Sequence, residues 1–271
     1  MTTIPTNEHV LPGTVAVVTG GGSGVGEAVA RELARHGVHV VLVGRTEAKL
    51  ARVAEAIRAA GGTAGIFACD VADPAQVQAL HESVVAARFD PPQILVNAAG
   101  LHTELVPIHQ STPEKWIRTF ETNTVGPYLI CRAFVPAMLT LGWGRIINVS
   151  SAASVHEPGN IGAVYQLSKV TLNFFTRQLA RELEGSGITA NAIHPGEVKT
   201  EMWAAIKADA SSRSGPGRDA LGWATWVEET GGDPPEKAAE LVMELVGPAG
   251  DRINGQFLWI KDGLQEPRSA W

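Results

Sequence analysis

The chain has 271 residues, 45% hydrophobic and 18% charged, which excludes disordered and fibrous classes and leaves ample material for a core. Its 22 Lys and Arg against 28 Asp and Glu give a net charge of -6 with no basic cluster. Neither nucleic acid nor an anionic membrane surface is therefore an expected partner, and small molecules are. No Ser/Gly/Pro-rich linker divides the chain, so residues 1–271 are expected to form one domain.

Met1 to Pro12 has neither the cationic nor the apolar region of a leader, and no run of about 20 apolar residues is evident, so a cytoplasmic protein is expected. The apolar run from Val15 to Thr19 breaks into Gly20-Gly21-Gly22-Ser23-Gly24-Val25-Gly26 and resumes as the helical Glu27 to Leu33. A buried parallel strand favours the continuous Val/Ala run, and the turn needs residues without a Cβ. The following helix aims its free N–H groups at whatever lies above the turn, which suits a phosphate.

Val38 to Val43 reads as a second buried strand, followed by a helix from Glu47 to Ala60 and a Gly61-Gly62 stop. Ala64 to Cys69 is a weaker third strand, and Pro74 opens a helix with Asp73 as its N-cap. Ile94-Leu95-Val96 forms the fourth strand. Thr112-Pro113 opens a long helix to about Leu141, expected to break at Gly126-Pro127, and Arg145 to Val149 is the fifth strand. A helix from Gly162 to Glu184, a sixth strand from Ile188 to Ile193, a helix from Glu236 to Val246 and a last strand from Gln256 to Ile260 complete the series. Repeated βα units imply the α/β class, a Rossmann-type doubly wound parallel sheet with helices on both faces.

Residues 200–233 break the rhythm with Met202, Trp203, Trp223 and Trp226 around a Ser/Gly-rich stretch. They are expected to be a substrate lid or, equally, tryptophans packing a helical pair onto the body. Cys69 and Cys131 lie in apolar segments with no paired spacing, so buried free thiols are expected and no metal site is. In a doubly wound sheet ligands bind beyond the carboxyl ends of the strands. Those ends carry Thr19 to Gly26, Gly44-Arg45, Asp70-Val71, Asn97 to Gly100, Ser150-Ser151 and His194-Pro195-Gly196. Tyr165 and Lys169, four apart, share one face of the helix after the fifth strand, so a hydroxyl, a phenol and an ammonium converge.

These motifs in this order resemble the short-chain dehydrogenase/reductase family: Thr-Gly-x-x-x-Gly-x-Gly from Thr19 to Gly26, Asn-x-Ala-Gly from Asn97 to Gly100, Asn123, Ser151, Tyr-x-x-x-Lys from Tyr165 to Lys169, and Pro195-Gly196 leading to Thr200. The resemblance covers Thr14 to Gly263. It implies transfer of a hydride between a nicotinamide and a carbonyl or secondary alcohol, with Tyr165 giving the proton and Ser151 holding the oxygen. Lys169 would favour the phenolate and bond the ribose, and Asn123 would hold a proton-relaying water. The spacing from Ser151 to Tyr165 is one residue longer than the family's usual, and Ser150 competes for the serine role. An oxoacyl-thioester reductase and a catalytically idle dinucleotide-binding or sensor protein are the alternatives.

The dinucleotide contacts implied are Gly20, Ser23, Gly24, Val25, Gly26, Arg45, Asp70, Val71, Asn97, Ala98, Gly100, Tyr165, Lys169, Pro195, Gly196, Val198 and Thr200. With Arg45 after the second strand and no carboxylate before Glu47, NADP(H) is favoured, and NAD(H) stays open. Leu101, Val155, His156 and Trp203 suggest an apolar substrate pocket. The long helices, with Leu129, Phe134, Leu172 and Phe175 spread over more than one face, suggest a homodimer or homotetramer.

Overall fold

Apolar strand runs and amphipathic helices alternate along the chain because each strand is covered on both faces. The computed structural model describes residues 11–87, 91–102, 104–215 and 219–264. Its strands are β1 (Val15–Thr19), β2 (His39–Gly44), β3 (Thr63–Ala68), β4 (Ile94–Asn97), β5 (Gly144–Val149), β6 (Ile188–His194) and β7 (Phe257–Trp259). They form one parallel sheet in the order β3-β2-β1-β4-β5-β6-β7. Strand order reverses between β1 and β4, and a crevice opens there at the carboxyl ends.

Two-residue alternation sends the side chains of β1 into two cores. Ala16 and Val18 join Val29, Leu33, Leu50, Val53 and Val242 on one face. Val15 and Val17 join Val77, Leu80, Ile130, Phe134 and Ala190 on the other. The first face is covered by α1 (Gly24–Arg35), α2 (Glu47–Ala59) and α9 (Glu236–Val246). The second is covered by α3 (Pro74–Ala86), α4 (Pro113–Phe120), α5 (Gly126–Leu141) and α6 (Ala163–Glu182). Asp73 caps α3 as expected, its side chain accepting from the N–H groups of Ala75 and Gln76.

Two expectations are corrected here. The long helix does not break at Gly126-Pro127. Instead α4 and α5 are joined through a π turn at Glu121–Val125, one turn earlier. Pro127 comes just after the π turn, and Gly126 lets the helix lie against Val71, whose Cγ2 would be 2.7 Å from an added Cβ. The resulting run, Pro113–Leu141, is also long and apolar enough by composition to cross a membrane, against the expectation that no such stretch exists. In this fold it lies on the sheet, burying Leu129, Ile130, Phe134 and Met138. Residues 200–233 carry a helical pair, α7 (Glu201–Ser212) and α8 (Asp219–Thr230), the second of the two forms expected there, and residues 216–218 lie outside the described residues.

Candidate active site

The glycine turn forms the floor of the crevice. Gly20 and Gly24 have φ of 68° and 54°, a left-handed conformation that costs a Cβ-bearing residue steric strain. At Gly26 an added Cβ would lie 2.3 Å from the Gly20 carbonyl oxygen, so helix α1 can approach the turn only without a side chain there. Ser23, at the N-cap of α1, makes no side-chain capping bond, so the first-turn N–H groups are left to the cleft. A cradle of this shape, with a helix N-terminus above it, fits a dinucleotide pyrophosphate.

A cleft of about 590 Å³ runs from this floor across the strand ends. Of the residues singled out in the sequence, it is lined by Gly20, Ser23, Gly24, Val25, Gly26, Arg45, Asp70, Val71, Ala98, Gly100, Ser151, His156, Tyr165, Lys169, Pro195, Gly196, Val198, Thr200 and Trp203. Arg45 is exposed at its edge, with no hydrogen-bond or ion-pair partner among the described residues. Nearby Lys49 is engaged: its Nζ lies 2.6 Å from both carboxylate oxygens of Glu201 on α7. Asp70 receives the N–H of Ala72 at 3.1 Å and pairs with Arg118, so its carboxylate already has protein partners.

Four of the expected residues are not in the wall. Asn97 is buried beneath it, its Nδ2 donating to Asn148 Oδ1 at 2.8 Å, so its side chain ties β4 to β5 instead of facing a ligand. Asn123, presented by the π turn, is also fully buried and spends its amide on the backbone. Leu101 N–H donates to its Oδ1 at 2.8 Å, and its Nδ2 donates to Leu101 O at 2.9 Å and Ser168 Oγ at 3.0 Å. Leu101 is thereby held by Asn123, and neither Leu101 nor Val155 lines the cleft. His102 and Leu105 occupy the wall instead.

The sequence motif brings Ser151, Tyr165 and Lys169 together. Ser151 stands beside the Tyr165 phenol, close enough to lower its pKa, and Lys169 Nζ stands 5.8 Å from the Tyr165 ring centre. Lys169 is buried and donates to Val149 O at 2.8 Å, which roots it at the end of β5. Burial, the largest influence on both groups, pushes the phenol up to about 12 and the ammonium down to about 8. Desolvation outweighs the influence of Ser151, and the nearby Glu197 charge adds to the rise, so the phenol of the free protein is held neutral. A protonated phenol at neutral pH is suited to giving a proton.

Glu197 and His102 were not singled out in the sequence. Glu197, buried after β6, accepts from Trp223 Nε1 at 2.9 Å, and burial raises its pKa. His194 accepts the Ala152 N–H at its Nδ1 (3.1 Å), which assigns the proton of the neutral ring to Nε2, 3.6 Å from Glu197 Oε1. The His102 ring lies 5.1 Å from that of Tyr165. Burial holds both histidines near pKa 4 and therefore neutral. Trp203 Nε1 donates to Ala224 O at 3.3 Å, pinning α7 to α8 over the cleft. A second chamber of about 540 Å³ adjoins at Tyr165, with Glu157, Asn160 and Gln166 in its wall.

A family model of short chain dehydrogenases matches residues 14–211. The chain belongs to that family. It is 33% identical to a short-chain type dehydrogenase/reductase of Picea abies and 36% identical to D-threitol dehydrogenase of Mycolicibacterium smegmatis, in each case over 93% of both chains. Among solved structures, actinorhodin polyketide ketoreductase with NADPH superimposes with a TM-score of 0.82 at 32% identity, covering 91% of this chain and 95% of the other. L-sorbose reductase of Gluconobacter frateurii, complexed with NADPH and L-sorbose, gives 0.82 at 28% identity over 96% and 100%. The chain is thus an NAD(P)-dependent oxidoreductase.

Proposed function

We propose that this enzyme reduces a ketone or aldehyde, and reoxidises the alcohol, with NADP(H) as the favoured dinucleotide. The observation that carries the reading is the convergence of Ser151, Tyr165 and Lys169 in the same cleft as the glycine cradle. A nicotinamide bound there supplies or takes the hydride. Tyr165 donates the proton to the carbonyl oxygen as negative charge develops on it, and Ser151 holds that oxygen by a second hydrogen bond. Lys169, fixed by Val149 O, holds a positive charge near the phenol and is in place for the nicotinamide ribose. Asn123 acts through position: its bonds to Leu101 and Ser168 lock the π turn against α6, and proton return through water at this turn is part of the proposal.

The preference for NADP(H) rests on Arg45, an exposed guanidinium at the cleft edge where an adenosine 2′-phosphate would lie, and on NADPH in two of the similar structures. NAD(H) is the alternative, since a similar xylitol dehydrogenase binds NAD+. Reduction of an oxoacyl thioester is the second reading, favoured by the likeness to a polyketide ketoreductase. A cytoplasmic homodimer or homotetramer is also proposed. Leu129, Phe134 and Leu172 face inward, so the assembly argument moves to Val125, Tyr128, Leu167 and Phe174, which α4 to α6 leave exposed. Dinucleotide oxidation, followed with a panel of ketones, aldehydes and thioesters and with NADPH against NADH, tests the reading. Turnover of a carbonyl with NADPH is expected, and none with any of them would refute it.

A further inference from the structure

We infer that Glu197 is a specificity-determining residue that accepts a hydrogen bond from a substrate hydroxyl beside the reacting carbonyl, which makes hydroxyketones and the polyols they form the substrate class. This deepens the carbonyl-reductase reading and rests on it.

Glu197 is only 7% exposed, yet its side chain lines the cleft that holds Tyr165 and Ser151. A carboxylate offers about four acceptor sites on two oxygens. Trp223 fills one of them, on Oε2. Oε1 makes no hydrogen bond among the described residues, and His194 Nε2 at 3.6 Å is outside bonding range. The backbone of Glu197 has its own partners, receiving the Asp233 N–H at 3.0 Å and donating to Asp233 Oδ2 at 2.9 Å, so nothing local is left to satisfy Oε1. Oε1 opens on the cleft, and a ligand that displaces water there without offering a donor leaves the carboxylate unpaired.

The surroundings say which donor. Trp223 holds the carboxylate through Oε2, with the His194 ring packed near Oε1. It lines the same cleft as Tyr165 and Ser151, where a carbonyl would react. A neutral hydroxyl on the neighbouring carbon pairs with it. An alkyl chain in that place would leave the carboxylate buried and unpaired, and a substrate carboxylate or phosphate would be repelled. The neutral ring of His102 and the adjoining chamber with Gln166 extend the polar lining beyond Glu197. An acyl thioester with an unfunctionalised chain fits this wall poorly.

The test compares hydroxyacetone with methoxyacetone, whose ether oxygen exerts a similar inductive pull but donates nothing. Wild type is expected to favour hydroxyacetone in kcat/KM by about a hundredfold or more, since sites built around a substrate donor reject its analogue strongly. Glu197→Gln keeps shape and an oxygen for Trp223 Nε1 but turns an N–H₂ donor toward the substrate. The ratio should then fall at least tenfold, mostly through KM for hydroxyacetone, with the melting temperature little changed. A wild-type ratio near one overturns the inference without any variant. A large ratio that survives Glu197→Gln overturns the assignment to this residue. Turnover of neither ketone overturns instead the carbonyl-reductase reading beneath it.

Discussion

On the floor of the cleft, Gly20, Gly24 and Gly26 act by having no side chain; on its wall, Ser151, Tyr165, Lys169 and Glu197 act entirely through theirs. The floor comes from one continuous turn between β1 and α1, its shape set by positive φ and by the Gly20 carbonyl oxygen, 2.3 Å from where a Gly26 Cβ would sit. The wall is assembled from the ends of β5 and β6 and one face of α6, held by bonds such as Lys169 to Val149 O and Trp223 to Glu197. The floor therefore tolerates almost no substitution and can bind without chemistry. The wall accepts isosteric changes, and those should remove chemistry while leaving binding.

Tyr165→Phe gives the largest expected effect on that division. It removes the proton donor and keeps the ring, so kcat should fall by about 10²–10⁴-fold while NADPH affinity stays within a few-fold. Fluorescence titration beside steady-state rates checks both halves; a variant retaining more than about a tenth of the wild-type rate would remove Tyr165 from its role. Next come two glycine substitutions with opposite expectations. Gly44→Asp has room, since its Cβ meets only Leu50 Cδ2 at 3.4 Å, and combined with Arg45→Ala it should swing the NADPH/NADH preference in kcat/KM by roughly ten- to a hundredfold toward NADH. Gly26→Ala has none, and forcing α1 off the turn should weaken dinucleotide binding and cost about 1–3 kcal/mol of stability by denaturant melt. Binding unchanged in Gly26→Ala would show that the floor is less rigid than its geometry implies.

Acid should strain the wall. His102 and His194 are held neutral with pKa near 4, against 6.5 for the ordinary side chain. Between pH 6.5 and 4 the unfolded chain therefore binds protons that the folded chain does not, so stability falls as pH falls through that window. Each histidine contributes a slope of up to about 1.4 kcal/mol per pH unit. Urea midpoints at pH 7 and pH 5 should differ accordingly, and His194→Asn should flatten the difference. The smallest expected effect is at the surface: Phe174, 67% exposed on α6, should contact a second copy, so Phe174→Ser should shift the mass seen by light scattering toward monomer. A monomeric wild type at micromolar concentration would refute the proposed assembly.

The same division explains what was legible in the sequence. The succession of strands and the floor follow from local pattern: Val15 to Thr19 can be read as buried strand and the glycines as turn because neighbours along the chain suffice. Tyr165 and Lys169 were legible because helical spacing alone puts them on one face. Glu197 and Trp223, in contrast, meet only through the fold, 26 residues apart in the chain. A clue did exist, since an acidic residue directly after a buried strand and Pro195-Gly196 was already a candidate buried charge. Asn97 was misplaced for the converse reason: its strand-end position suggested a ligand, whereas pairing of β4 with β5 turned its amide toward Asn148. The π turn was displaced from Gly126-Pro127 because glycine and proline advertise a break, while in the fold one serves close packing on Val71 and the other begins α5.

The central claim, that Tyr165 and its neighbours carry out carbonyl reduction, is tested most directly by isotope transfer. NADPH deuterated at the transferable position of its nicotinamide ring is incubated with the protein and hydroxyacetone, and the diol is examined by mass spectrometry. The account predicts one deuterium on the carbinol carbon of the wild-type product and, in the same time, no more than a trace with Tyr165→Phe. A diol free of label, or equal label transfer by Tyr165→Phe, would contradict it.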